Sequence, residues 1–299
     1  MFKFGVNCAL EPVPESAPVV LRGKIESVAR DAAKVGYDGL ELFIRKPRQY
    51  DAAHLKSVAD SFGIEFCSIG TGMEYSLEGL CLISDDTFIR AAAIDRLKEH
   101  IDLAAILGCS VVVGMMRGNI PDFTRQELYL DYLIRALHSL DDYASSSGVS
   151  LVVESIMRYI SNYLTTVPET TEFLKRVGRP NIGLHIDSHL MNVEDKDIAS
   201  SIKCGAKWLK YVHFSDSNRA YPGGGKFDFK EMMHALIDVG YTGYITNECQ
   251  PYPNPYTCAE RGLRYNRHLQ ALVEIERAPL CNGLESVSTG SKPTPNMPF

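Results

Sequence analysis

No apolar run in this 299-residue chain approaches the length of about 20 residues that crosses a bilayer. Lys3 and the early polar residues leave no hydrophobic stretch of a secretory leader, so the expectation is a cytoplasmic protein with no membrane partner. There is no CxxC pair among the eight cysteines, and Cys67 and Cys109 lie inside apolar runs. A disulfide framework is thereby excluded in favour of reduced, mostly buried thiols. Positive charge is in deficit, 31 Lys and Arg against 37 Asp and Glu for a net charge of -6, which removes the electrostatic reason to expect a nucleic-acid partner. What the chain does have is 45% hydrophobic residues, enough to bury a sizeable core, at a length that suits one (β/α)8 barrel as well as two smaller domains.

Short apolar runs and helical periodicities then follow one another along the chain. Phe2 to Asn7 reads as a first strand, followed by a Pro-rich loop from Glu11 to Pro18. A helix over Lys24–Val35 stops at Gly36, the strand Gly39–Phe43 follows, and Ala52–Phe62 with Gly63 repeats the helix and its stop. Glu65–Ile69 is the third strand; a long loop from Gly70 to Ser84 and a long helix from Asp86 to Leu107, ended by Gly108, come next. After the strand Ser110–Gly114, Thr124 with Glu127 reads as a capping box for a helix through Ser145, and Thr166 with Glu169 as another for a helix ending near Gly178. A helix from about Asp195 to Lys203, one over Phe229–Val239 announced by Asp228 and Glu231, and a last one capped by Thr257 and Glu260 complete eight strand-helix units. Such alternation predicts a parallel sheet, and eight units at this length favour closure into a single (β/α)8 barrel over residues 1–278. Residues 279–299, rich in Pro, Gly and Ser, offer little to a core and read as a tail.

Four consecutive strand-like runs end in a side chain with chemistry: Leu151–Val153 in Glu154, Ile182–Ile186 in Asp187, the run from Tyr211 in His213, and Tyr244–Asn247 in Glu248. In a parallel barrel the strand C-termini converge on one rim, so all four can point at one place. Three carboxylates and an imidazole crowded together repel unless a cation sits among them. A lone Glu at a strand end is ordinarily a solvated or salt-bridged rim residue, but four such positions in succession point to a metal site.

This pattern is accompanied by Asp216-Ser217-Asn218-Arg219 after the His, Ile69-Gly70-Thr71-Gly72, Val113-Gly114, Arg117-Gly118, Met191-Asn192 and Gly223 to Phe229. Together they resemble the sugar phosphate isomerase/epimerase family with xylose isomerase-like TIM barrels, nearest to the ketose 3-epimerases of the tagatose and psicose type and the 5-keto-L-gluconate epimerases. The resemblance covers roughly residues 2 to 275. It implies a sugar isomerase or epimerase acting on an unphosphorylated ketose or keto-sugar acid, with one divalent metal ion held by Glu154, Asp187, His213 and Glu248. Two Glu, one Asp and one His supply hard oxygen donors and one nitrogen, which suit Mn²⁺ first, or Mg²⁺ or Co²⁺, better than a sulfur-selected metal. Glu154 and Glu248 are implied as the catalytic pair, one removing a proton and the other returning it on the far face through a metal-stabilised enediolate. Arg219 is implied to hold charge on a substrate oxygen. His185, His189, Arg117 and Arg158 are further candidates for substrate binding. For the two arginines, structural ion pairing is the equal alternative. His185 shares the inward side of its strand with Asp187 and reads equally as a packed barrel histidine or as a group supporting the metal. Homo-oligomers are common in the family, so one is expected here.

Two positions depart from the family pattern. Ile160 stands six places after Glu154, where the epimerases carry a Glu, and Leu190 stands three places after Asp187, where they carry a His, with His189 one place earlier. Both departures replace polar groups with apolar ones at the sugar-recognising end. They open an alternative, a 3-keto-glycoside lyase similar to the larger subunit of bacterial C-glycoside deglycosidases, with Ile160 and Leu190 facing an aglycone or a small second subunit. A keto-inositol-type dehydratase is a further alternative. A non-catalytic metal- or sugar-binding barrel is the non-enzymatic one, against which the paired glutamates argue. An abasic-site endonuclease of the same barrel class is disfavoured, because Gly70-Thr71-Gly72 and Gly114-Met115-Met116 stand where its multi-metal site needs His.

Overall fold

Strands buried along nearly their whole length, without the alternation of a half-solvated sheet, belong to a parallel sheet covered on both faces. In the computed structural model, which describes residues 1–278, that sheet closes on itself. The strands are β1 (Lys3–Ala9), a two-residue β2 (Leu21–Arg22), β3 (Gly39–Phe43), β4 (Glu65–Gly70), β5 (Ser110–Val113), β6 (Leu151–Glu154), β7 (Ile182–Asp187), β8 (Leu209–Phe214) and β9 (Tyr244–Asn247). β1 and β3 to β9 pair in sequence order, every pair parallel, and β9 returns to β1; β2 only extends the C-terminal end of β1. This is the single (β/α)8 barrel expected of the alternation. The expected tail at 279–299 lies outside the described residues.

The helices are α1 (Ile25–Val35), α2 (Ala52–Ser61), α3 (Gly72–Glu78), α4 (Thr87–Leu107), α5 (Gln126–Ala144), α6 (Val167–Val177), α7 (Ser188–Glu194), α8 (Ile198–Gly205), α9 (Phe229–Asp238) and α10 (Pro255–Arg277). Gly36, Gly108 and Gly178 end α1, α4 and α6 in the left-handed conformation, as their places after each periodic run predict. Elsewhere the boundaries differ from expectation. The segment from Gly70 to Ser84 is not a plain loop but carries α3. The helix expected over 195–203 is α8, capped by Asp197, and a further helix not expected from the sequence, α7, begins directly after Asp187. Asp122 caps the turn before α5 by accepting from the Thr124 N–H, and Asn254 caps α10 by accepting from the Thr257 N–H. In both cases an Asx side chain upstream supplies the acceptor that the Thr was expected to supply. Thr166 does cap α6, but Glu169 turns its carboxylate to the Leu164 and Thr165 N–H groups.

Most of the core lies between strands and helices. A second cluster of Cys67, Val112, Val152 and Tyr211 fills the barrel interior. It forms a dry plug beneath the C-terminal rim, so polar residues one layer higher stand on an apolar floor. The described cysteines are all free thiols, including Cys249 and Cys258, whose sulfurs approach to 3.5 Å. No helix among the described residues is long and apolar enough to cross a membrane.

Candidate active site and metal centre

Register brings the four strand-end residues together. Glu154 of β6 lies opposite His185 of β7, and Asp187 lies opposite His213 of β8. His213 Nε2 donates to Glu41 Oε2 at 2.7 Å, which fixes the ring and leaves Nδ1 facing Glu248 Oε2 at 3.6 Å and Asp187 Oδ2 at 3.9 Å. One donor atom each from Asp187, His213 and Glu248 lies within 4.8 Å of the others, and Glu154, His185 and His213 form a second such group sharing the His213 ring. Gly114 makes room for Glu154, since a Cβ there would stand 3.0 Å from its Oε2.

The titratable groups of this cluster shift one another strongly. Burial, with Glu248 beside it, pushes the Glu154 carboxyl up to about 8. Burial also opposes ionisation of Glu248, but Arg219 and His213 outweigh it and hold that carboxyl down at about 2. Glu41 is raised by burial despite His213, and the His213 ring is itself driven up against its burial by Glu41 and Glu248. His185, buried and beside His213, is kept neutral. Several buried polar atoms have no hydrogen-bond partner: His213 Nδ1, both ring nitrogens of His185, and Glu41 Oε1. A histidine nitrogen aimed among carboxylates, with its other nitrogen held by a carboxylate, suits a hard divalent ion that takes the place of the ring proton. The residues present therefore fit a metal, with Glu154, Asp187, His213 and Glu248 able to hold it and His185 beneath.

Arg219 is delivered by the loop after β8. The Asp216 carboxylate organises this loop by accepting from the Ser217, Gly223 and Phe227 N–H groups. Gly225 passes so close that a Cβ would collide with Asp216. Arg219 itself has a left-handed backbone, φ 61°. Its guanidinium donates to Asp187 Oδ2 at 2.6 Å and to Glu248 Oε2.

Three expected substrate contacts are elsewhere. Arg117 is fully buried and donates to the Tyr163 and Leu164 carbonyls, stacked over the Tyr163 ring. Arg158 points outward and pairs with Glu194 at 2.7 Å. Neither lines the cavity; both staple the loop between β6 and α6. His189 turns from the cavity to donate to the Asp216 carbonyl, so it does not replace the missing family histidine, and Leu190 takes the wall position. The reason is local: Asp187 caps α7 by accepting from the His189 and Leu190 N–H groups, which sets the direction of both side chains. Glu41, in contrast, escapes a reading of strand ends. Its signal in the sequence is a carboxylate enclosed in the apolar run of β3.

The cluster forms the floor of a cavity of about 390 Å³ at the C-terminal rim, bounded by Glu41, Glu154, His213, Arg219 and Glu248. A larger cavity of about 570 Å³ opens at the opposite end of the barrel, around Glu65 and Lys210, away from the charged cluster. Residues 29–272 match the model of the xylose isomerase-like TIM barrel family. The chain belongs to this family. Among family relatives, an L-ribulose 3-epimerase of Methylomonas sp. is 31% identical over 220 residues, covering 73% of this chain and 75% of the relative. A ketose 3-epimerase of Arthrobacter globiformis is 30% identical, covering 72% and 74%. The solved structure of a D-allulose 3-epimerase from Methylomonas sp., in complex with D-allulose, superposes with a TM-score of 0.77 at 26% identity over 89% of this chain and 96% of that one. The family member described here is thus an enzyme of the sugar epimerase type.

Proposed function

We propose that the protein epimerises an unphosphorylated ketose or other keto-sugar at the carbon beside its carbonyl. One divalent ion, Mn²⁺ first, would be held by Glu154, Asp187, His213 and Glu248. The observation that carries this reading is that two glutamates, from strands three places apart in the barrel, line one cavity and each lie in a ligand group sharing His213. Binding alone needs no such pair. Inversion at carbon does, because the proton leaves one face and returns to the other. The ion, when bound, stabilises negative charge developing on a substrate oxygen.

The side chains supply the rest. Glu154 and Glu248 move the proton, one on each side of the reacting carbon. Glu41 holds His213 Nε2, so the ring presents Nδ1 to the cluster. Arg219 orients the two carboxylates it bridges and offers its remaining donors to a substrate oxygen. Among the described residues a phosphate finds no free cation in the cavity: Arg219 is the one guanidinium or ammonium lining it there, and two carboxylates already engage it. The curated relatives act on ketoses, which supports the same class here.

Mn²⁺-loaded protein mixed with a ketose panel in D₂O tests the reading by NMR. Deuterium should enter beside the carbonyl as a new epimer appears, and chelation should stop both. Absence of exchange on every keto-sugar offered to fully loaded protein, or full activity in chelator, would overturn it.

A further inference from the structure

The free positive charge that the catalytic cavity lacks is gathered on one face of α10. Arg261, Arg264 and His268 follow one another at intervals of three and four residues, which places them on one exposed stripe of the helix. Together with Tyr221, Gly223 and Tyr265 they line an open cavity of about 530 Å³ that shares no residue with the catalytic one. The β8–α9 loop is laid directly on the helix to form it. Gly223 lies so close to the Tyr265 ring that a Cβ there would collide with it, and Phe229 meets the same ring edge-on, 5.7 Å between centroids.

Their partners set these cations apart from the other arginines of α10. Arg267 pairs with Asp38 at 3.6 Å, and Arg277 pairs with Asp238 at 2.7 Å. Among the described residues neither Arg261 nor Arg264 reaches a carboxylate, and Arg261 donates only to the Tyr221 hydroxyl, at 3.0 Å. The acids near Tyr265 are already engaged: Asp216 accepts from the Gly223 and Phe227 N–H groups, and Asp228 caps α9 through the Glu231 N–H. In a chain of net charge -6, two guanidiniums on one face without a counter-charge attract an anion from solution. A monocarboxylate is satisfied by one guanidinium fork, whereas a phosphate dianion has charge and oxygens for both. Burial, then Asp216 and Asp228, raise the Tyr265 hydroxyl above its ordinary value, so it stays a neutral donor beside them. We infer that this face of α10 is a binding site for a phosphate-bearing small molecule, its phosphoryl group between Arg261 and Arg264. His268 and Tyr265 border the remainder of the ligand.

Calorimetric titration of the full-length protein tests the site, in chelator so that no metal ion competes for the anion. The probes are inorganic phosphate, glycerol 3-phosphate and acetate, at an ionic strength of about 0.15 M. Both phosphates should bind at one site per chain with a dissociation constant of about 1 mM or below, and acetate at least about tenfold more weakly. The tighter of the two phosphates tells whether the ligand is the free ion or an ester, and either result upholds the site. Arg261→Gln and Arg264→Gln should each weaken phosphate binding by about tenfold or more, with circular dichroism unchanged. Arg267→Gln, which removes a paired arginine of the same helix, should leave the affinity within about twofold of the parent. No saturable heat, acetate binding as tightly as phosphate, or an equal loss from Arg267→Gln would overturn the inference. Phosphate binding that survives both Arg261→Gln and Arg264→Gln would overturn it too, because the anion would then sit elsewhere.

Discussion

Glu154 and Glu248 are equivalent in type and differ in surroundings: one lies beside other carboxylates, the other beside Arg219 and His213. Replacing either with Gln keeps shape and removes the proton acceptor. Each substitution should lower turnover by at least about 100-fold, scored by epimer formation, with circular dichroism unchanged. Glu41 acts at one remove, through the His213 ring. Glu41→Gln should weaken divalent-ion affinity by about 10- to 100-fold in chelator competition, the range for groups that orient a ligand. The clustering of Glu154, Asp187, His213 and Glu248 was legible because each ends an apolar run. Glu41 was not, because it sits in the middle of one; only the barrel interior shows that it faces His213, 172 residues away. Arg219 was named from the loop motif, but nothing local told that its guanidinium would bridge Asp187 and Glu248.

At the scale of elements, the loop between β6 and α6 decides how the cavity is walled. Arg117 holds its carbonyls, the Asn162 N–H donates to Asn119 Oδ1 and its side-chain amide to the Ile120 carbonyl, and Arg158 clamps it to α7 through Glu194. Arginines expected at the substrate thus serve the frame. The Arg158 guanidinium holds the Glu194 carboxyl below its ordinary value of 4.5. A depressed carboxyl contributes stability above that value and loses it as pH falls through the folded-state value. Arg158 is largely exposed, so screening limits the pair. Glu194→Gln should cost about 1–2 kcal/mol at pH 7 by urea unfolding, and the gap to the wild type should shrink on acidification below the ordinary carboxyl range. A gap independent of pH would assign the loss to packing instead. Strand and helix order was legible from periodicity, whereas caps moved wherever an Asp or Asn upstream offered a better acceptor than the Thr.

For the whole molecule, the proposed cation would be coupled to the fold. The unpartnered nitrogens and crowded carboxylates exist only when the barrel is closed, so an ion held by them would bind the native state and not the unfolded chain. At a hundredfold excess over its dissociation constant an ion adds about 2.7 kcal/mol. The unfolding midpoint should rise by roughly 5 °C with Mn²⁺ and fall back with chelator, and His213→Ala should abolish the rise. An unchanged midpoint would speak against a resident ion. The sequence by itself determined the barrel and the residues that end its strands, because periodicity, turn chemistry and strand-end position are local properties that repeat unit by unit. Only the tertiary structure decided which side chains meet: Glu41 with His213, Arg219 across two carboxylates, Arg117 and Arg158 in the frame, Leu190 rather than His189 on the wall. Closing eight strands into a ring sets directions and distances between residues far apart in the chain, and no local pattern carries that information.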